Sequence, residues 1–297
     1  MKTGVHQRVS RALVAGGTHG NEWIGAWLVD KWTRDPRALQ RSTFEVKTLV
    51  ANPEARAAGV RYVDQDLNRS FAAPSQKTEA PLEARRASEI LKEYGPEGGS
   101  PVDVVFDLHT TTANMGLSMI FTNQDPFNMK MAAWVKQREP GVRVYLWLDD
   151  TLPKSALSTI VGLGVTIEVG PTPNNVLRGD LYLGTERVVH ACLDYVEAVN
   201  LGAPAVDEPS SLEVFTHLAT HDYPRDAEGN LDGFVHPDFQ DRDFEPLRPG
   251  DPIFMRRDGS IVHYEGPDEV YAVFINEAAY YEKNLAFSTT RRELLEL

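Results

Sequence analysis

A histidine and a glutamate three positions apart, His19 and Glu22 in the stretch GGTHGNEWIG, follow an apolar segment and a glycine pair at the point where a helix begins. One turn of backbone can aim both side chains at one point, and an imidazole beside a carboxylate is a donor set for a divalent metal. Ordinary helix capping explains the same pair, since a polar residue and a first-turn glutamate satisfy free backbone N–H groups. A partner elsewhere must decide, and His109 in VVFDLHTTTANMG offers one. It ends an apolar strand, and an open α/β sheet presents ligand-binding groups on that carboxyl edge. Taken alone, His109 reads as a satisfied core histidine. Two separate strand ends that each carry ligand types are what a site assembled across neighbouring strands produces. A catalytic zinc held by His, Glu and His keeps a position open for water, and the same donors accept cobalt or manganese. Asp107 either orients a ligand imidazole from behind or caps a backbone group.

Glu168 in GVTIEVGP is a lone carboxylate in an apolar strand. Period-two alternation puts it on the face opposite Ile167 and Val169. Burying it is costly unless it is paired or associated with a metal. A salt bridge to a basic residue is the plain explanation; beside a metal-activated water it would take a proton and pass it to a leaving nitrogen. In RYVDQDLNRSF, Arg61, Asn68 and Arg69 can bind a carboxylate in fork geometry and polarise a carbonyl. Asp64 and Asp66 beside them make a solvated, self-neutralising loop the reading of that charge cluster by itself.

The elements that must position these groups alternate. RALVAGG is a strand, and NEWIGAWLVDKW after it is a helix with Ile24, Trp27, Leu28 and Trp32 on its apolar face. FEVKTLVANP is a second strand ending at an Asn-Pro turn, PLEARRASEILKEYG a helix, and VDVVFDLH a strand apolar enough to be covered on both faces. GLSMIFTN, VRVYLWL and LGVTIEVGP read as strands, PFNMKMAAWVKQRE and GTERVVHACLDYVEAVN as helices. The expectation is an α/β fold, a mixed central sheet flanked by helices. Pro, Gly and Ser concentrate at Asn200 to Ser211, as in a linker, and the turn-rich remainder suits a small β-rich domain.

Composition narrows the partners. Forty-three acidic against 30 basic residues give a formal charge of -13, which disfavours a nucleic-acid backbone. No apolar run approaches the ~20 residues of a membrane helix and no signal-peptide core opens the chain, so a soluble cytoplasmic protein is expected. The single cysteine, Cys192, excludes an internal disulfide and reads as a buried thiol. A homodimer or larger homo-oligomer is the expected assembly.

GGTHGNE, ANP, RYVDQDLNRSF, FDLHTTTANMG and IEVGP, followed by DYPRD, HPDFQDRDFEPLRPGDP and VFINEAAYYEK, resemble in order the aspartoacylase branch of the succinylglutamate desuccinylase and aspartoacylase family over nearly the whole chain. The resemblance implies a zinc-carboxypeptidase-like catalytic domain, residues 1–203, and a β-rich C-terminal domain, residues 204–297, that contributes to the cleft. It implies one Zn2+ per chain on His19, Glu22 and His109, with Glu168 as general base and proton shuttle. Arg61 would steady the carbonyl oxygen, Asn68 and Arg69 would hold the α-carboxylate, Tyr280 would complete the pocket, and Glu277 would help to place that segment. The implied reaction is amide hydrolysis of a small N-acyl amino acid, N-acetyl-L-aspartate first. Family members that cleave N-acetylaspartate carry a tyrosine and an arginine before the IEVGP strand, where this chain has Lys154 and Ser158. Lys154 would meet the second carboxylate as a flexible point charge. An N-acyl aromatic or apolar amino acid is the alternative substrate, followed by a carboxypeptidase-like activity and by a non-catalytic acyl-amino-acid binding protein.

Overall fold

A computed structural model describes residues 8–148, 155–202 and 209–297. The first half alternates as expected: β1 (Arg11–Gly16), α1 (Trp23–Arg34), β2 (Glu45–Val50), α2 (Pro53–Ala58), α3 (Leu82–Tyr94), β3 (Val104–Thr110), β4 (Gly116–Phe121), α4 (Pro126–Arg138), β5 (Val142–Leu146), β6 (Leu163–Gly170) and α5 (Gly179–Asn200). The Asn-Pro turn is more than a turn. Asn52 accepts a hydrogen bond from the Ala55 N–H and Pro53 occupies the first helical position, so the chain goes straight into α2.

After residue 209 the regular elements are strands apart from a 3-10 turn at Ala278–Lys283: β7 (Ser211–His221), β8 (Gly233–Val235), β9 (Pro246–Leu247), β10 (Pro252–Arg256), β11 (Ile261–His263), β12 (Val270–Val273) and β13 (Phe287–Glu296). The strand order of the main sheet is β2-β1-β3-β6-β4-β5-β7-β13-β12-β9, and β11-β10-β8 form a separate small sheet. β7 pairs antiparallel with β13 along its length and parallel with β5 at Tyr145↔Phe215 and Leu146↔Thr216. Part of the expected small β domain therefore extends the central sheet, because the open edge of β5 would otherwise leave its backbone groups unpaired.

Strand alternation sorts side chains between two layers. Ala12, Val14, Val104, Phe106, Val165 and Ile167 face α1, α4 and α5 in the largest core cluster. Leu13, Ala15 and Val105 face the other way, onto Ala87 and Ile90 of α3. Each fully buried large apolar side chain contributes roughly 1.5–3 kcal/mol. The glycine pattern of the opening stretch has a steric cause. A Cβ on Gly16 would lie 2.3 Å from the Gly25 carbonyl carbon, and one on Gly25 would lie 2.7 Å from the Leu108 carbonyl oxygen. Only hydrogens there let α1 start directly above the carboxyl ends of β1 and β3, while Gly17 turns the chain at φ 68°.

Cys192 is fully buried, and burial pushes its thiol up, as expected of an inert core cysteine. No helix of the described residues is long and apolar enough to cross a membrane.

Candidate active site

Register decides what the carboxyl ends present. β3 and β6 run parallel with His109 opposite Glu168 and Asp107 opposite Thr166. Neighbours across a parallel pair share a face, so Asp107, His109, Thr166 and Glu168 all look toward the α3 side. β1 lies on the other flank of β3, with Gly16 opposite Leu108. The turn leaving it therefore swings His19 and Glu22 over the end of β3.

There the three side chains meet. Glu22 lies 2.6 Å from His19 Nδ1 through Oε1 and 2.9 Å from His109 Nδ1 through Oε2, and the two Nδ1 atoms are 3.2 Å apart. All three residues are buried, and one donor atom from each falls within 4.8 Å of the others. Each ring is also held from behind. His19 Nε2 donates to Asp66 Oδ1 at 3.1 Å, and His109 Nε2 donates to Asp107 Oδ2 at 2.8 Å. Carboxylates on both outer nitrogens leave both inner nitrogens as lone-pair donors, which is how imidazole ligands are oriented. Two such nitrogens with one carboxylate oxygen fit a divalent cation of the zinc type. Burial opposes charge on Glu22 and His109, but the imidazoles hold Glu22 well below the usual carboxylate range, and Asp107 and Glu22 hold His109 well above its own.

Asp107 orients His109 and also accepts from the Thr18 hydroxyl at 2.7 Å, so of its two expected roles it takes the first. Asp66 was hidden in a loop that reads as solvated, yet it is buried. Its visible signal is local: it precedes a 3-10 turn, Leu67–Arg69, and accepts from the Asn68 N–H. Glu83, in the first turn of α3, is fully buried and accepts from the N–H groups of Val63, Asp64 and Gln65 and from the Asn52 amide. It holds the loop that carries Arg61, Asn68 and Arg69. In sequence it is only a helix-start glutamate.

Glu168 faces a cavity of about 440 Å³ that His19, Glu22 and His109 also line. Burial pushes its carboxyl well above the usual range, and Glu22 and Glu277 add to that against His109 and Arg61. Arg61 Nη1 donates to Glu22 at 3.1 Å, and its Nε is buried without a partner. Asn68 accepts from the Leu157 N–H, its amide lies 3.4 Å from His109 Nε2, and the exposed Arg69 donates to the Asn68 carbonyl. Tyr280 lines the same cavity from a 3-10 turn, Ala278–Lys283, with its hydroxyl pushed up by burial and by Glu168 and Glu277. Glu277 accepts from the Thr111 hydroxyl and from Thr112 N at 2.7 Å, which ties that turn to the loop after His109. Ser158 pairs with Thr166 at 2.9 Å. Lys154 lies outside the described residues.

A second tie joins the same two loops. Asp243 accepts from Asn114 N at 3.2 Å and from Ile275 N at 3.1 Å, and burial pushes its carboxyl up to about 7. Between the unfolded value near ~4 and that value, the folded chain keeps a proton that the unfolded chain has released. This contribution to stability is therefore complete below pH ~4, falls as pH rises to ~7 and is flat above. Relative to the native chain, Asp243→Asn is expected to gain stability from pH 4 to pH 8, by at most about 4 kcal/mol. Urea unfolding at the two pH values measures it, and a constant difference would contradict it.

Known proteins resemble this chain over both of its parts. The Succinylglutamate desuccinylase/Aspartoacylase catalytic domain matches residues 8–196, and the AstE/AspA barrel-sandwich hybrid domain matches residues 210–292. A probable aspartoacylase of Nostoc sp. is 44% identical over 97% of this chain and 98% of its own. An N-acyl-aromatic-L-amino acid amidohydrolase (carboxylate-forming) of Mus musculus is 41% identical over 96% of this chain and 91% of its own. The crystal structure of murine aminoacylase 3 superposes with a TM-score of 0.91 at 40% identity, covering 97% of both chains. With both of its parts matched, and with relatives aligned over nearly their full length, this chain belongs to the succinylglutamate desuccinylase/aspartoacylase family.

Proposed function

We propose that the chain hydrolyses the amide bond of a small N-acyl-L-amino acid, releasing a carboxylate and the free amino acid. The supporting observation is the convergence of His19, Glu22 and His109, with Glu168 outside that donor group, on a cavity sized for a metabolite. His19, Glu22 and His109 would hold one zinc ion, which supplies Lewis acidity by polarising a carbonyl and bringing the pKa of water toward ~7. The rest is done by the chain. Glu168 accepts the proton of the attacking water and returns it to the departing amine nitrogen. The Arg61 guanidinium, which lines the same cavity, would stabilise the negative charge that develops on the carbonyl oxygen. Asn68 and Arg69 hold the α-carboxylate, and Tyr280 closes the pocket as a neutral hydroxyl donor. In this reading residues 1–203 form the catalytic domain and residues 204–297 complete the cleft, restricting it to small substrates. A cytoplasmic setting and a homo-oligomeric state belong to the same proposal.

N-acetyl-L-aspartate, with Lys154 meeting its side-chain carboxylate, is the first substrate reading. A second is favoured by the cavity walls. Ile120, Trp147 and Phe274 line it, and Ser158 there is neutral and paired with Thr166. Such walls suit an aromatic or apolar side chain. A panel of N-acetyl amino acids assayed for amine release, with and without chelator, separates the readings. We expect release that chelator abolishes. Preference for N-acetylaspartate that disappears in Lys154→Ala supports the first reading, and faster release from N-acetylphenylalanine supports the second. No amine release from any member would overturn hydrolysis itself.

A further inference from the structure

The 3-10 turn that carries Tyr280 is tied down at both ends. At its start Glu277 binds the loop after His109, and at its end Lys283 Nζ donates to Asp66 Oδ2 at 3.1 Å. Lys283 keeps 29% of its side chain exposed, and Asp66 keeps 9%. The two oxygens of Asp66 are thus divided. Oδ1 receives His19 Nε2 and the Asn68 N–H, and Oδ2 receives Lys283. Arg61 Nη2 waits 3.7 Å from Oδ2, too far for a good hydrogen bond.

We propose that Lys283 is a positioning residue that acts through Asp66: by occupying Oδ2 it keeps Oδ1 on the His19 ring, and so sets how tightly His19, Glu22 and His109 hold a divalent cation. The proposal rests on the metal reading above and extends it to a residue more than 200 positions from the ligands of the first loop. Without the ammonium, Oδ2 of the buried carboxylate loses its hydrogen-bonded cation and turns toward Arg61, the next cation along. That turn draws Oδ1 away from Nε2, leaves the His19 ring free to rotate, and takes Arg61 from the cavity. Glu282 is a control on the same turn: it accepts from the Tyr62 hydroxyl at 2.9 Å and does not touch Asp66.

The test is zinc affinity of the folded protein, measured by competition with a chromophoric chelator for the native chain, Lys283→Met, Lys283→Arg, Glu282→Gln, Asp66→Asn and the Asp66→Asn/Lys283→Met double variant, with a thermal melt on each. Loss of an outer partner of a metal ligand typically costs ~10–100-fold in affinity. We expect Lys283→Met to weaken zinc binding about 10-fold, Lys283→Arg to restore most of it, and Glu282→Gln to leave it unchanged. Added to Asp66→Asn, Lys283→Met should cause no further loss, because the two changes break one path. Unchanged affinity in Lys283→Met, additive losses in the double variant, or equal loss in Glu282→Gln would each overturn the assignment. If Lys283→Met does not fold, Lys283→Arg against Asp66→Asn decides: affinity in Lys283→Arg as low as in Asp66→Asn overturns it. A native chain that fails to bind zinc instead overturns the metal reading, an outcome separate from these.

Discussion

Glu168→Gln is expected to purify with an unchanged metal content and to lose about 10²–10⁴-fold in turnover. Glu168 sits opposite His109 across β3 and β6 and stands outside the three-donor group, so an isosteric amide leaves the ligand set intact. What the amide cannot do is take a proton. Burial, with the charges of Glu22 and Glu277, raises the affinity of Glu168 for that proton, the direction a group needs if it is to hold one between two steps. A thousand-fold loss corresponds to about 4 kcal/mol of the barrier. Metal analysis and steady-state rates on the same preparation check it. Metal lost on purification, with turnover recovered on reconstitution, would mean that Glu168 is a ligand or a structural carboxylate and that another group moves the proton.

The parts of this molecule that sequence makes legible are those with a period or a fixed spacing. The apolar runs of β1, β3 and β6 carry their own signal; β3 and β6 hold His109 and Glu168 near their carboxyl ends, and β1 leads into the turn of His19 and Glu22. Alternation alone placed Glu168 opposite Ile167 and Val169, and those two side chains do face the large core cluster. His19 and Glu22 belong to one turn, so their convergence is local. His109 joins them only because β1 and β3 are neighbours, which α/β connectivity makes the natural arrangement. What sequence concealed depends on long-range contacts with no periodic trace. Asp66 and Glu83 look like loop and helix-start acids, yet one orients His19 and the other gathers three consecutive N–H groups of the loop that carries Arg61, Asn68 and Arg69. β7 and β13, SLEVFTHLATH and FSTTRRELLE, mix polar and charged residues with apolar ones, and their ten-residue pairing is invisible until the edge of β5 shows what they complete. The apolar wall of the cavity follows the same rule, since Trp147, Ile120 and Phe274 come from three distant segments.

His109→Ala and Asp107→Asn should separate a ligand from its support. Removing the imidazole deletes one of three donors and leaves Glu22 beside a void, so zinc affinity is expected to fall by more than the ~10–100-fold typical of losing an outer partner. Asp107→Asn keeps a hydrogen-bonding group 2.8 Å from His109 Nε2 but removes its charge and its unambiguous acceptor, so the loss should stay within that range. Stability gives an independent reading. An ion that binds only the folded chain adds RT ln(1 + [L]/Kd), about 4 kcal/mol at a thousand-fold excess over Kd. Chelator should therefore lower the melting temperature of the native chain and of Asp107→Asn, and leave that of His109→Ala where it is. The sizes differ for a physical reason: a bound ion would neutralise a buried carboxylate and take a lone pair from each of two nitrogens that lie 3.2 Å apart. Stoichiometric zinc in purified His109→Ala, or a native melting temperature indifferent to chelator, would remove the ion from the centre of this site and leave the cluster as a buried His–Glu ion pair with a structural role.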